Sequence, residues 1–195
     1  MKLGICGGGS AIAQEYLRDY RQVYTSHETA RPQAIPTDCD RYLICSGYIV
    51  GQSLREIHLV DADETFYANF LDIARACDRI FDANPRARIC IIGSESGERG
   101  SYDMTYAGAK AAMHLYVRTK KLTSPDQMLV ALAPHIIADA GMTTRRPDFE
   151  ATMERAKETR LGRWITAQEV AQMAHDALMR WPTSLSGQVI RMRCE

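Results

Sequence analysis

Little in this sequence points to a stapled, membrane-spanning or polyanion-binding protein. Six cysteines (Cys6, Cys39, Cys45, Cys77, Cys90 and Cys194) are scattered without a CxxC pair, which removes the usual zinc and redox spacings, so no metal site is expected. Most sit in apolar runs, where a reduced thiol packs as a small hydrophobic side chain. Nowhere do 18 apolar residues run together, and MKLGICGGG lacks the long apolar segment of a signal peptide. No membrane span is therefore expected, and the expected location is cytoplasmic. Lys plus Arg balance Asp plus Glu at 24 each, with no block of like charge and no basic stripe interleaved with aromatics. A nucleic-acid partner is not expected from such a surface. The first glycine turn also lacks the Lys-Ser/Thr pair that a P-loop needs after it.

What is present is an ordinary globular balance: 195 residues, 46% hydrophobic and 25% charged, enough to bury one core. No linker or repeat divides the chain, so 1–195 reads as one domain. Apolar runs at 3–6, 22–26, 41–46, 87–93, 127–133 and 187–192 predict strands, and Ala34-Ile35 is a candidate for a very short one. Helical spacing covers Ile12 to about Asp19, 64–84, 103–119, about 148–158, and 167–179. Thr166 and Glu169 predict a capping box at the start of the last helix. Short apolar strands alternating with long helices predict an α/β fold of the Rossmann type: a doubly wound, mostly parallel sheet with helices on both faces.

Two clusters carry chemistry. Gly7, Gly8 and Gly9 form the first turn between strand and helix, where the backbone can approach a phosphate and a helix amino terminus offers free N–H groups. The GxGxxG pattern itself is absent, because Ala11 and Ala13 stand where further glycines would. Tyr106 and Lys110, in TYAGAKAAMHLYV, lie one helical turn apart on one face. A nearby cation favours a phenolate, and Ser94, ending an apolar strand, is placed to hold a substrate oxygen against the tyrosine. Spacing alone fits an interfacial tyrosine and a solvated lysine at least as well.

Taken together, these segments resemble the short-chain dehydrogenase/reductase family. YAGAK at 106–110 is similar to its YxxxK pair, and IIGSESG places Ser94 at its catalytic serine, with Gly97 at the family glycine and Ser96 as the fallback serine. Asn69, in FYANFLDIARAC, resembles the helix asparagine that completes the tetrad. CSG at 45–47 stands at the place of the NNAG segment, LAPHI at 132–136 resembles the segment lining the nicotinamide, and RWITAQEVAQMAHDAL with SGQVIRM resembles the closing helix and strand. The family's TGxxxGxG appears as CGGGSAIA. The resemblance covers nearly the whole chain.

The resemblance implies hydride transfer between a nicotinamide cofactor and a small carbonyl or alcohol substrate. Tyr106 would move the proton, Lys110 would lower the tyrosine pKa and hold the ribose, Ser94 would orient the oxygen, and Asn69 would support a relay water. The implied cofactor contacts are Gly7, Gly9, Ser10, Ala11 and Ile12 at the turn, and Ser26, His27 and Arg31 past the second strand. Asp38 is expected at the adenine, with Ser46, Gly47, Tyr106, Lys110, Pro134 and Ile136 further along. No acid stands at the tip formed by Ser26 and His27, which favours NADP, while Glu28 keeps NAD open. Between Asp38 and the RYLIC strand there is no room for the family's usual helix, so one flanking helix is expected to be missing. Substrate walls are expected from Met142, Phe149 and Met153, and subunit pairing through the helices at 64–84 and 103–119, giving a homodimer or homotetramer. The alternative is a non-catalytic binding or scaffold protein on the same fold, with a degraded cofactor site.

Overall fold

The structure is a computed structural model and describes residues 1–194. Six parallel strands build one sheet: β1 (Lys2–Cys6), β2 (Thr25–Thr29), β3 (Arg41–Ile44), β4 (Arg88–Ile92), β5 (Met128–Pro134) and β6 (Val189–Met192). Their order is β2-β1-β3-β4-β5-β6. The inner strands read as unbroken apolar runs because both of their faces are covered. Ile5, Leu43 and Val130 point to one face, where α1 (Ala11–Tyr20) and the carboxy-terminal helix Ala167–Met179 pack through Tyr16, Val170 and Ala174. Cys6, Ile44 and Ala131 point to the other and meet Ile73, Cys77 and Met113 from the helices Asp72–Ala83 and Met104–Thr119.

The remaining helices complete the numbering: α2 is Leu59–Phe66, α3 Asp72–Ala83, α4 Ser96–Arg99, α5 Met104–Thr119, α6 Gly141–Thr144, α7 Phe149–Arg155 and α8 Ala167–Met179. A π turn over Tyr67–Leu71 joins α2 to α3 without interrupting the rod. The capping box at α8 is formed, with Thr166 Oγ1 accepting from Glu169 N at 3.3 Å and Glu169 Oε2 accepting from Thr166 N at 2.8 Å. Among the described residues no helix is long and apolar enough to cross a membrane.

From β1 the chain steps outward to β2, then crosses back to β3 on the other side of β1. That reversal leaves a crevice at the carboxyl ends of β1 and β3, the usual ligand site of open α/β sheets. The return from β2, one of the two edge strands, carries one 3₁₀ turn, Pro32–Ala34, and no α-helix, so the flanking helix is missing as expected.

Several sequence boundaries need correction. β2 starts at Thr25, not at 22, because Arg21–Val23 first close a 3₁₀ turn. Ala34-Ile35 forms no strand; Ile35 instead buries its side chain where the 3₁₀ turn ends. The long helix begins at Leu59 rather than 64, with Leu59 and Val60 exposed and therefore outside any apolar stripe. The stretch expected as one helix over 148–158 is α7 followed by a 3₁₀ turn at Ala156–Glu158.

Candidate active site

The carboxyl ends of the strands open into a cleft of about 1080 Å³, lined from Gly7 through to Arg146. Single-ligand pockets run roughly 300–1,000 Å³, so a dinucleotide together with a small substrate is a reasonable load.

One end of the cleft is built by the glycine turn. Gly7 has φ of +79°, and a Cβ there would lie 2.7 Å from Ser46 N and 2.8 Å from the Cys45 carbonyl carbon. Only glycine satisfies both conditions, so the β1 turn lies directly against the backbone that follows β3. Gly7 N donates to Thr29 O at 2.9 Å, which ties the turn to the end of β2. Ser10 caps α1, its Oγ accepting from Ala13 N at 3.2 Å. Beside the turn stands Glu28, whose Oε2 is 2.7 Å from the place a Cβ on Gly8 would take.

At the other end, β4 delivers Ser94 and α5 delivers Tyr106 and Lys110. Asp103 caps α5, accepting from Tyr106 N at 2.9 Å, and so fixes the tyrosine in the first turn. Ser94 stands close enough to the Tyr106 hydroxyl for its side chain to favour the ionised phenol. Lys110 Nζ donates to Ile92 O at 3.3 Å and stands 5.6 Å from the centre of the Tyr106 ring. Asn69 occupies the π turn, a device often found at functional sites because the extra residue re-aims one side chain. Its Nδ2 donates to Tyr48 O at 2.6 Å and Thr65 O at 2.8 Å, while Oδ1 accepts from Tyr48 N at 3.3 Å. Asn69 Oδ1 and Lys110 Nζ lie 3.0 and 3.6 Å from the Cβ position of Gly47, so these groups converge on one point.

Burial decides the protonation of the pair. It raises Tyr106, with the Ser94 hydrogen bond opposing and the Asp103 charge adding to the rise. It lowers Lys110 to about 8. In the chain itself the tyrosine is raised because burial of the phenol disfavours its charged form. The arrangement keeps a protonated phenol beside a serine on the wall of the cleft, a group able to donate a proton there.

Comparison with solved structures decides the architecture. A short-chain dehydrogenase/reductase SDR, glucose/ribitol dehydrogenase, from Brucella melitensis matches at TM-score 0.81, covering 98% of this chain and 94% of that one. This chain has the short-chain dehydrogenase/reductase fold. A small-chain dehydrogenase in complex with NADPH matches at TM-score 0.81 over 98% of this chain and 96% of that one. BdcA in complex with NADPH matches at 0.82 over 99% and 93%. Sequence identities to the three are 16%, 14% and 18%, so the likeness is one of fold. No protein-family model and no curated protein sequence matches the chain.

Within this fold, Gly7, Gly9, Ser10, Ala11 and Ile12 line the cleft at the turn, Ser46 and Gly47 after β3, and Pro134 and Ile136 after β5. Ser94, Tyr106 and Lys110 line it as well, with Asn69 buried behind them. Four expected contacts fall elsewhere. Asp38 is paired with Lys2 Nζ at 2.5 Å, beside the first residue of β1 and at the opposite end of the sheet from the cleft. Ser26, His27 and Arg31 do not line the cleft; Glu28, Thr29 and Ala30 do, because β2 sits three residues further along the chain than its sequence pattern implied. Of the expected substrate walls Met142 lines the cleft, whereas Phe149 and Met153 do not.

His114, one turn beyond Lys110 on α5, is buried, and neither ring nitrogen has a hydrogen-bond partner among the described residues. Its Nε2 lies 2.7 Å from the Cβ position of Gly93, so it supports the backbone just before Ser94. Burial pushes its pKa down from 6.5 to about 4. Between those pH values the unfolded chain binds a proton that the folded one refuses. Stability should therefore fall as pH drops through this window, by roughly 3 kcal/mol in full. Urea midpoints measured from pH 7 to pH 4 check this, with His114→Gln expected to flatten the curve. An equally steep curve for that variant would assign the acid sensitivity to other groups.

Proposed function

We propose that the protein is a nicotinamide-dependent oxidoreductase that interconverts a small carbonyl compound and its alcohol. The observation that carries this reading is the convergence of Ser94, Tyr106, Lys110 and Asn69 on one end of a cleft whose other end is a glycine turn. The residues fit a dinucleotide: Gly7 admits no side chain, and the α1 amino terminus faces the same cleft. When bound, the nicotinamide supplies the hydride.

In this reading Ser94 donates a hydrogen bond to the carbonyl oxygen and holds it against the Tyr106 hydroxyl. Tyr106 then gives its proton to that oxygen as negative charge develops there. Its burial-raised pKa keeps the proton in place until then. Lys110, next to the phenol, offsets the charge left behind, and Asn69 fixes the Tyr48 backbone that borders the site. In the opposite direction the same groups remove a proton from an alcohol.

Cofactor choice follows the charge beside the turn. The sequence favours NADP because no acid stands at Ser26 and His27, but beside the glycine turn the cleft is lined by the carboxylate of Glu28. An acid there accepts ribose hydroxyls and repels a 2′-phosphate, so NADH is the proposed cofactor. Titration of the folded protein tests both points. NADH should bind saturably at micromolar concentration and NADPH at least about ten-fold more weakly, a difference of some 1.4 kcal/mol. Glu28→Gln should close that gap. Tighter binding of NADPH by the wild type would reverse the choice, and no binding of either would return the chain to the scaffold reading.

Leu59 and Val60 on α2 and Leu115 on α5 are 78%, 77% and 60% exposed. These exposed apolar side chains support pairing of copies through the α2–α3 rod and α5, as a homodimer or a homotetramer.

A further inference from the structure

Asp103, the cap of α5, is a carboxylate only 1% exposed to solvent. No Lys, Arg or His stands within salt-bridge distance of it among the described residues. Its two oxygens meet backbone amides instead: Oδ1 accepts from Tyr106 N at 2.9 Å and Oδ2 from Gly51 N at 3.0 Å. A charge taken out of water needs such donors, and the α5 amino terminus adds a favourable dipole. Capping alone does not call for the charge. Elsewhere in the chain, α1 and α8 are capped by the neutral hydroxyls of Ser10 and Thr166.

The second amide belongs to the segment that leaves β3, which runs over 45–58 without helix or strand. Gly47, near its start, lines the cleft, and its Cβ position lies against Asn69 and Lys110. Beyond Gly47 this strap is tied down at three points. Tyr48 is held through its backbone by Asn69, Gly51 donates to Asp103, and Glu56 accepts from the Tyr102 hydroxyl at 3.0 Å. Gly51 makes its contact at a φ of +76°, a conformation that favours glycine. Two of the three ties therefore land on Tyr102 and Asp103, just ahead of Tyr106 on α5. Tyr102 itself lines the cleft.

We propose that Asp103 is a positioning residue for the proton donor. One oxygen holds Tyr106 at the start of α5 and the other holds the strap after β3, so a single carboxylate sets both against each other. The inference rests on the reductase reading above. The charge of Asp103 also acts on the phenol: burial is the main reason Tyr106 keeps its proton, and the nearby carboxylate adds to the effect. An acid that must stay protonated until negative charge develops on the substrate is served by such a fixed neighbour.

The test reads the phenol and the strap separately. Difluorotyrosine placed at position 106 brings the phenol's ionisation towards neutral pH, where fluorine NMR follows it. Amide hydrogen exchange at Gly51 and at residue 106 is measured on the same proteins. Asp103→Asn keeps the cap, since Asn serves there as well as Asp, but it removes the charge and offers the two amides one oxygen in place of two. The ionisation midpoint should move to lower pH. Gly51 should exchange about ten-fold faster or more, while the amide at 106 stays protected. Asp103→Ser, a shorter neutral cap, should do the same, and it carries the test if the amide variant fails to fold. For a carbonyl compound that the wild type reduces, the alkaline limb of kcat should move with the phenol. An unmoved midpoint overturns the proposal, because Asp103 would then be a helix cap and a strap anchor without influence on the acid. Unchanged exchange at Gly51 overturns it too, since the strap would be held by other contacts. Failure of the wild type to bind NADH would instead overturn the reductase reading, whatever the phenol and the strap do.

Discussion

Tyr106→Phe is expected to lower turnover by about 10³-fold, some 4 kcal/mol, while NADH affinity changes by no more than a few-fold. The substitution removes one oxygen from a ring that is otherwise buried, so the packing of α5 is kept. What disappears is the hydroxyl beside Ser94, on a residue that Asp103 positions by capping the helix. Initial rates with a carbonyl compound that the wild type reduces, set beside NADH titration of both proteins, separate chemistry from binding. Equal rates for the two proteins would remove Tyr106 from the reaction and leave the convergence of four polar side chains without a role.

Gly7→Ala should have the second large effect, and on a different quantity. The residue has φ of +79°, which a side chain strains, and the new methyl would lie 2.7 Å from Ser46 N. The atoms it meets are backbone, so no side chain can swing aside. Strain and overpacking of this kind cost roughly 2–4 kcal/mol. In a chain of this length the melting temperature should fall by about 5–10 °C. NADH affinity should fall by a hundred-fold or more, because the turn must withdraw from β3 and carry the α1 amino terminus with it. Thermal unfolding and NADH titration of the same preparation check both effects. Normal NADH binding in a protein that melts early would mean that the turn supports the sheet without shaping the cofactor site.

Both predictions use residues that were legible in the sequence, for reasons that differ. Gly7 could be read because the glycine cluster falls at the first strand-to-helix turn of a chain that goes on alternating strands and helices. Ser94, Tyr106, Lys110 and Asn69 could be read because their order along the chain resembles one family, and the fold then brought all four to the same cleft end. Glu28 was misjudged because β2 is a polar edge strand, TSHET, with no buried stripe to set its register; the more apolar 22–24 drew the strand forward. Asp38 was placed by resemblance to a longer chain, and the short return from β2 to β3 takes it to the wrong end of the sheet. The start of α2 at Leu59 was hidden since its first residues face outward.

The shortened return from β2 also bears on how this sheet avoids sticking to others. A doubly wound sheet normally protects its flank with further chain, whereas here β2 ends the order and leaves one row of backbone N–H and C=O groups without a strand partner. Such a row is a template for any extended peptide that meets it, and natural edges guard themselves by being short, polar and charged. β2 has five residues, among them exposed His27 and Glu28 and two threonines, and no large apolar side chain. The carboxylate proposed to choose the cofactor thus also guards the rim. A change at Glu28 made to alter cofactor choice would, if it were apolar, leave behind a stickier sheet.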